Sequence, residues 1–175
     1  MVQRIGMIFI MLSLVGCSTV EGIAKVEVQS EEQHEVKNEE QIVVYSFTGE
    51  NEVLSLYNGV IVLSPTQQIL YGGELQSNQE DLSNLLNYSM EFFILSDEGK
   101  EVLLTSEATD MTEGNGMSIE NNKTLPSLID ENIFTTKTQN NIKNNFYFEL
   151  TVTKTNGDKQ SYQIKLDATE VTPNY

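Results

Sequence analysis

The sequence predicts an all-β protein: an antiparallel β-sandwich, immunoglobulin-like with Greek-key connections, of about seven to nine strands after a disordered N-terminal tether. Three observations predict it. From Gln41 onward, short runs of β-branched and aromatic residues recur between clusters of turn residues. Helical spacing is almost missing, with one brief candidate turn in Ser77–Leu86. The stretch from Phe146 to Leu166 alternates apolar and polar residues on both sides of a Thr-Asn-Gly turn, as a half-buried hairpin must. A barrel would use the same runs. The irregular spacing and the long connections over 106–116 and 121–132 suit the crossings of a sandwich better.

In chain order, Ile42-Val43-Val44-Tyr45-Ser46-Phe47 is the first strand, closed by Thr48-Gly49-Glu50-Asn51. Val53 to Leu63 is a second run. Its Asn58-Gly59 is either a two-residue hairpin turn or a bulge in one long strand. The bulge is preferred, because the flanking pieces are short for independent strands. Ser64-Pro65-Thr66-Gln67 turns the chain into Gln68-Ile69-Leu70-Tyr71, and Gly72-Gly73 precedes Glu74-Leu75. Tyr88 to Leu95 is a strand with Tyr88, Met90, Phe92 and Ile94 on one face. After the turn Asp97-Glu98-Gly99, Val102-Leu103-Leu104 answers it. Residues 106–116 read as an acidic loop, Met117 to Glu120 as a short strand, Ile133-Phe134 as the start of another, and Gln139 to Asn145 as loop.

The closing hairpin fixes its own register. Phe146, Phe148, Leu150 and Val152 form one apolar face, and Tyr162, Ile164 and Leu166 form another. A two-residue loop at Asn156-Gly157 would set Leu150 opposite Gln163 and turn one apolar face outward, because strand side chains have a period of two. A three-residue loop, Thr155-Asn156-Gly157 with a left-handed glycine, pairs Leu150 with Tyr162 and Phe148 with Ile164. It also sets Lys154 against Asp158. That register is predicted, with a frayed polar tail from Asp167.

Composition narrows the function. The chain has 175 residues, room for one domain. Its 26 acidic against 10 basic residues give a formal charge of -16, which repels nucleic acid and anionic headgroups. No nucleic-acid partner is expected. Cys17 is the only cysteine and His34 the only histidine, and Trp is absent. No internal disulfide and no cysteine-based metal site are possible. The immunoglobulin hallmarks of paired Cys and core Trp are missing too, so the architecture is expected without that family's signature.

Ahead of the strands, Arg4 precedes the run Met7 to Gly16, of about nine mainly apolar residues, whose small residues then meet Cys17. A positive start, a short apolar stretch and a small-residue cleavage site are the layout of an export signal. The stretch is too short for a bilayer, which needs ~20 apolar residues. Leu14-Val15-Gly16-Cys17 resembles the lipobox of bacterial lipoproteins. The resemblance implies that the Cys17 sulfur receives a diacylglycerol, that cleavage precedes it, and that a palmitate-type anchor holds the protein on the extracytoplasmic face of the cell membrane. Two acyl chains hold a protein stably where one does so only marginally. A chance cysteine in an ordinary secretory signal is the alternative. Cleavage would remove Arg4 and leave a formal charge of -17. Domain boundaries follow: signal peptide 1–16, lipidated Cys17 and acidic tether 17–40, sandwich 41–167, frayed tail 168–175.

From Tyr45 to Leu166 the domain also resembles small uncharacterised lipoproteins of low-GC Gram-positive bacteria. Phe47-Thr48-Gly49-Glu50-Asn51, Gly114-Asn115-Gly116-Met117-Ser118 and the closing hairpin carry the likeness. In that group a Trp usually follows the first motif, where this chain has Val53, and the central loop is richer in Gly. The resemblance implies a β-sandwich lipoprotein and carries no activity.

The domain has no His or Cys, which removes Ser-His-Asp and Cys-His catalysis and the usual zinc ligands. No Gly-rich phosphate loop opens a helix. No catalytic residue, resident metal or cofactor is assigned, and His34 reads as solvated. The favoured function is a binding or interaction module at the cell envelope with an envelope protein partner. The alternative is a carboxylate-based enzyme or a calcium- or ligand-binding lipoprotein. For calcium, Asp110, Glu113, Asn115 and Glu120 offer hard oxygens around the central loop, without EF-hand spacing. An acidic loop of this kind is ordinarily solvated. Titration calorimetry with Ca²⁺ should accordingly give no heat and no shift in melting temperature; a saturable heat would establish the site.

Overall fold

Alternating strands bury one face each, and two antiparallel sheets close over the side chains they share. The computed structural model describes residues 42–77, 82–111 and 116–171. Among them the strands are β1 (Val43–Glu50), β2 (Leu54–Leu63), β3 (Gln68–Tyr71), β4 (Glu74–Ser77), β5 (Leu85–Ser96), β6 (Gly99–Thr109), β7 (Lys123–Thr124), β8 (Ser127–Asp130), β9 (Phe146–Lys154), β10 (Lys159–Lys165) and β11 (Asp167–Glu170). One helix, α1 (Thr136–Asn145), precedes β9. Sheet A runs β11-β1-β2-β3-β8, with β4 also on β2 and β7 on β4; sheet B runs β10-β9-β5-β6. The described residues form an all-β sandwich. Its strands outnumber the seven to nine expected because β4, β7, β8 and β11 are only two to four residues long.

Phenylalanines join the sheets. Phe47 of β1 meets Phe146 of β9 edge-on at 5.0 Å between ring centroids and Phe92 of β5 at 6.0 Å. Phe92 in turn packs on Phe146 and Phe148. Leu54, Leu56, Ile61, Leu70 and Ile94 fill the space around them. Burying each such side chain contributes ~1.5–3 kcal/mol.

β2 is one strand. Its first half pairs with β4 and its second with β3, and Asn58 sits between them at φ 59°. Phe47 faces Gly59 while Gly49 faces Leu56, so Tyr57 and Asn58 bulge opposite Thr48. The bulge, not a hairpin turn, is the outcome. Asn51 then sets the β1–β2 turn: its Oδ1 accepts the N–H groups of Val53 and Leu54, both at 2.8 Å, and its Nδ2 donates to the Gln163 carbonyl. The closing hairpin has the register its pattern requires, with Leu150 opposite Tyr162 and Phe148 opposite Ile164. Lys154 N–H donates to the Asp158 carbonyl at 2.8 Å, and Gly157 is left-handed at φ 93°.

Several stretches depart from the sequence reading, Ile133-Phe134 among them, which is a bend and not a strand. Asp167–Glu170 does not fray; as β11 it pairs with Thr48 to Tyr45 of β1 and extends sheet A. Pairing along the otherwise open edge of β1 supplies the hydrogen bonds that its polar residues could not secure by burial. The helical turn expected in Ser77–Leu86 is not there at either end, since Ser77 closes β4 and Leu85 opens β5; 78–81 lie outside the described residues. β6 runs on to Thr109, into the expected loop, because β5 offers an unpaired edge that far. Met117 makes only an isolated bridge to Leu85 where a short strand was expected.

The helix is the largest departure. Its residues, TKTQNNIKNN, are poor helix formers, and only Thr138 and Ile142 are buried. Local hydrogen bonds and one anchor hold it instead. Thr135 caps it, its Oγ1 accepting the Thr138 N–H at 3.2 Å, and Ile142 drops fully into the core. The buried Gln68 side chain steadies the approach, donating to the Phe134 carbonyl and accepting its N–H. Lys143 then reaches Glu170 of β11 at 2.9 Å.

Gly59 is the position this packing cannot enlarge. A Cβ there would lie 2.1 Å from Phe47 Cε2, inside the ring. Gly59→Ala should cost about 1–3 kcal/mol or more as an overpacking change. Gly157→Ala meets no atom within 4 Å and should cost only the left-handed backbone, ~1–2 kcal/mol. Urea midpoints of the two variants test the order, and a Gly59→Ala protein as stable as the parent would refute the packing account.

Candidate functional site

A sheet packed on one side offers its other side to solvent, and the outward positions of sheet B form a grid that pairing fixes. Two bulges align it. In β5, Leu85 pairs with Lys154 and Asn87 with Thr153, so Leu86 is extra; Leu85 stays buried while Asn87 faces out with Ser89 and Glu91. In β6, Leu104 pairs with Phe92 and Val102 with Phe93, so Leu103 is extra. That change of parity brings Val102 and Lys100 onto the face of Thr105 and Glu107.

The lower part of this face is apolar and charged together. Phe93 is only 1% exposed although it stands outside the main core. The Tyr147 ring stacks on it at 5.6 Å with 13° between planes, and Lys100 Nζ lies 4.1 Å from its centroid. The same ammonium bridges Glu91 at 2.6 Å and Glu149 at 3.0 Å. Burial alone would pull the Lys100 pKa down, but the hydrogen bonds and charges of the two glutamates outweigh it and the net shift is upward. Two carboxylates side by side invite comparison with a glycosidase pair. Here the lysine occupies the space between them that a substrate oxygen would need.

The upper part is polar. A shallow groove of about 250 Å³ is lined by Asn87, Ser89, Glu107, Thr109, Thr151 and Thr153, among others, with Lys159 at its margin. Thr151 Oγ1 and Ser161 Oγ share a hydrogen bond of 2.8 Å. A second groove of about 360 Å³, bounded by Thr48, Glu50, Tyr57, Lys165 and Asp167, opens where the β10–β11 chain passes the end of β1.

The outer face of sheet A has a different character. Val44 pairs with Val62, Val62 with Ile69, and Ile69 with Ile129, while Val171 N–H donates to the Val44 carbonyl. A row of β-branched side chains thus crosses the whole sheet, ending in Val171 and Ile129, which are 50% and 59% exposed.

Of the residues singled out from sequence, Cys17 and His34 lie outside the described residues, as do Glu113 and Asn115. Asp110 and Glu120 are described, and among the described residues no three His, Cys, Asp or Glu side chains converge as metal ligands. The acidic turns have ordinary partners: Glu98 bonds Lys137 at 2.5 Å, which lowers its pKa, and Asp130 Oδ1 accepts the Asn132 N–H. No described helix is long and apolar enough to cross a membrane. Sequence reasoning missed the grid, although its signal was present: the polar positions of the predicted strands. No family model, curated protein or solved structure matches the chain.

The Lys100 cluster has a pH signature. A lysine whose folded pKa exceeds its unfolded value of ~10.4 stabilises the fold below that pH, and the contribution is lost as pH rises through the folded pKa. Lys100→Met removes the linkage, so its melting temperature should fall less between pH 9 and pH 12 than the parent's. Equal falls would show that Lys100 is not coupled to Glu91 and Glu149.

Proposed function

We propose that the protein is an extracytoplasmic lipoprotein, held on the cell membrane by diacylglycerol on Cys17, whose sandwich is a binding or interaction module for an envelope component. One observation carries the reading: Arg4, the apolar run and Leu14-Val15-Gly16-Cys17 stand in the order and spacing of a lipidated export signal. The absence of a second cysteine and of any His in the domain leaves lipid attachment as the role with a mechanism for this thiol.

The faces of the sandwich support binding over catalysis. An apolar row such as Val171-Val44-Val62-Ile69-Ile129, half-buried in its middle and exposed at both ends, is what an interaction surface offers. An enzyme would call for a deep cleft with converging acids, whereas the two grooves described above are open and, among the described residues, Glu91 and Glu149 are tied to one lysine. The formal charge of -16 argues against nucleic acid as the partner.

Metabolic labelling with palmitate should mark the protein, and globomycin should block its processing. Both effects should vanish in Cys17→Ala, with the protein released from the membrane fraction. Labelling that persists in that variant would defeat the anchor and with it the localisation.

A further inference from the structure

We infer that the upper outer face of sheet B is a binding site for a neutral, polyhydroxylated glycan. The inference deepens the binding-module reading and rests on it for where such a glycan is met. Pairing lays out two adjacent rows of outward side chains. Thr109, Asn87, Thr153 and Lys159 form one, running β6-β5-β9-β10. Glu107, Ser89, Thr151 and Ser161 form the next. Strand geometry spaces these positions about 5 Å across the strands and about 7 Å along them.

The chemistry of the rows selects the ligand. The four central positions, Asn87, Ser89, Thr151 and Thr153, are uncharged and carry hydroxyls or an amide, each able both to donate and to accept. The charges stand at opposite margins, Glu107 on β6 and Lys159 on β10, and cancel. A chain with 26 acidic residues keeps this patch neutral, so neither a polyanion nor a polycation is favoured there. A polyol matches it, since every sugar hydroxyl is also both donor and acceptor.

One further feature points to a built face. Asn is depleted in strands, yet the Leu86 bulge turns Asn87 outward in line with Ser89. The groove, about 250 Å³, falls just short of the roughly 300 Å³ at which pockets for drug-sized ligands begin. It accommodates one sugar ring of a longer chain rather than a whole oligosaccharide.

The test uses the full chain carrying Cys17→Ser, so that binding is measured without a lipid, and a panel of neutral tetrasaccharides: chitotetraose, cellotetraose and mannotetraose. Titration calorimetry should show saturable binding to at least one. Thr151→Lys should weaken it tenfold or more with an unchanged melting temperature, and the milder Ser89→Ala should weaken it less. Tyr57→Ala, in the other groove, should leave it unchanged. No binding to any of the three, binding indifferent to Thr151→Lys, or binding confined to an anionic hyaluronan tetrasaccharide would each overturn the inference. Because Cys17 takes no part, such a failure is separate from loss of the anchor, which palmitate labelling reads.

Discussion

The fold depends on Phe47 crossing the gap between the sheets. It is the ring through which sheet A touches both Phe92 and Phe146 of sheet B. It has room to do so because its partner across the ladder is Gly59, the one residue type that leaves a ring's width there. The β2 bulge beside that glycine follows from the same constraint. Tyr57 and Asn58 loop out opposite Thr48, so that Leu54 and Leu56 on one side and Ile61 and Leu63 on the other all keep their apolar side chains inward. One large side chain and one absent side chain thus set how the sheets meet.

The remaining elements complete what that contact begins. β11 gives β1 an outer neighbour, and the helix covers the ground between β11 and the end of β5. Neither is made by local preference. The helix has Ile142 as its apolar anchor and a threonine cap, and β11 has the exposed ladder of β1. Both are instances of tertiary context overriding propensity. They are tied to each other through Lys143 and Glu170.

With the core spent on joining the sheets, the outer faces are what the domain offers to a partner, and parts of them differ in chemistry. Sheet A presents β-branched hydrocarbon; sheet B presents hydroxyls and an amide above a lysine held between two glutamates. For the proposed envelope lipoprotein, the apolar row is the face offered to an interaction partner and the polar rows are the face we propose for a glycan. The regular ladders hold every named side chain in register, and positions on strands are more rigidly placed than positions on loops.

Much was legible from the chain alone. Alternation in Phe146–Leu166 fixed not only a hairpin but its register, because a shift of one residue would have exposed a whole apolar face. The Asn58-Gly59 bulge was legible for a similar reason, the shortness of the flanking pieces. The reading of residues 1–17 as a lipidated export signal, which we propose, rests entirely on the sequence, as does the absence of Cys and His from the domain. The grid on sheet B was not legible, although its residues were. Which of them share a face depends on the bulges at Leu86 and Leu103, and a bulge is decided by the neighbouring strands rather than by its own residues. The helix and β11 were hidden for the same reason: their stability comes from surfaces supplied by β1, β5 and the buried Gln68, distant in sequence and adjacent only once the sheets have closed.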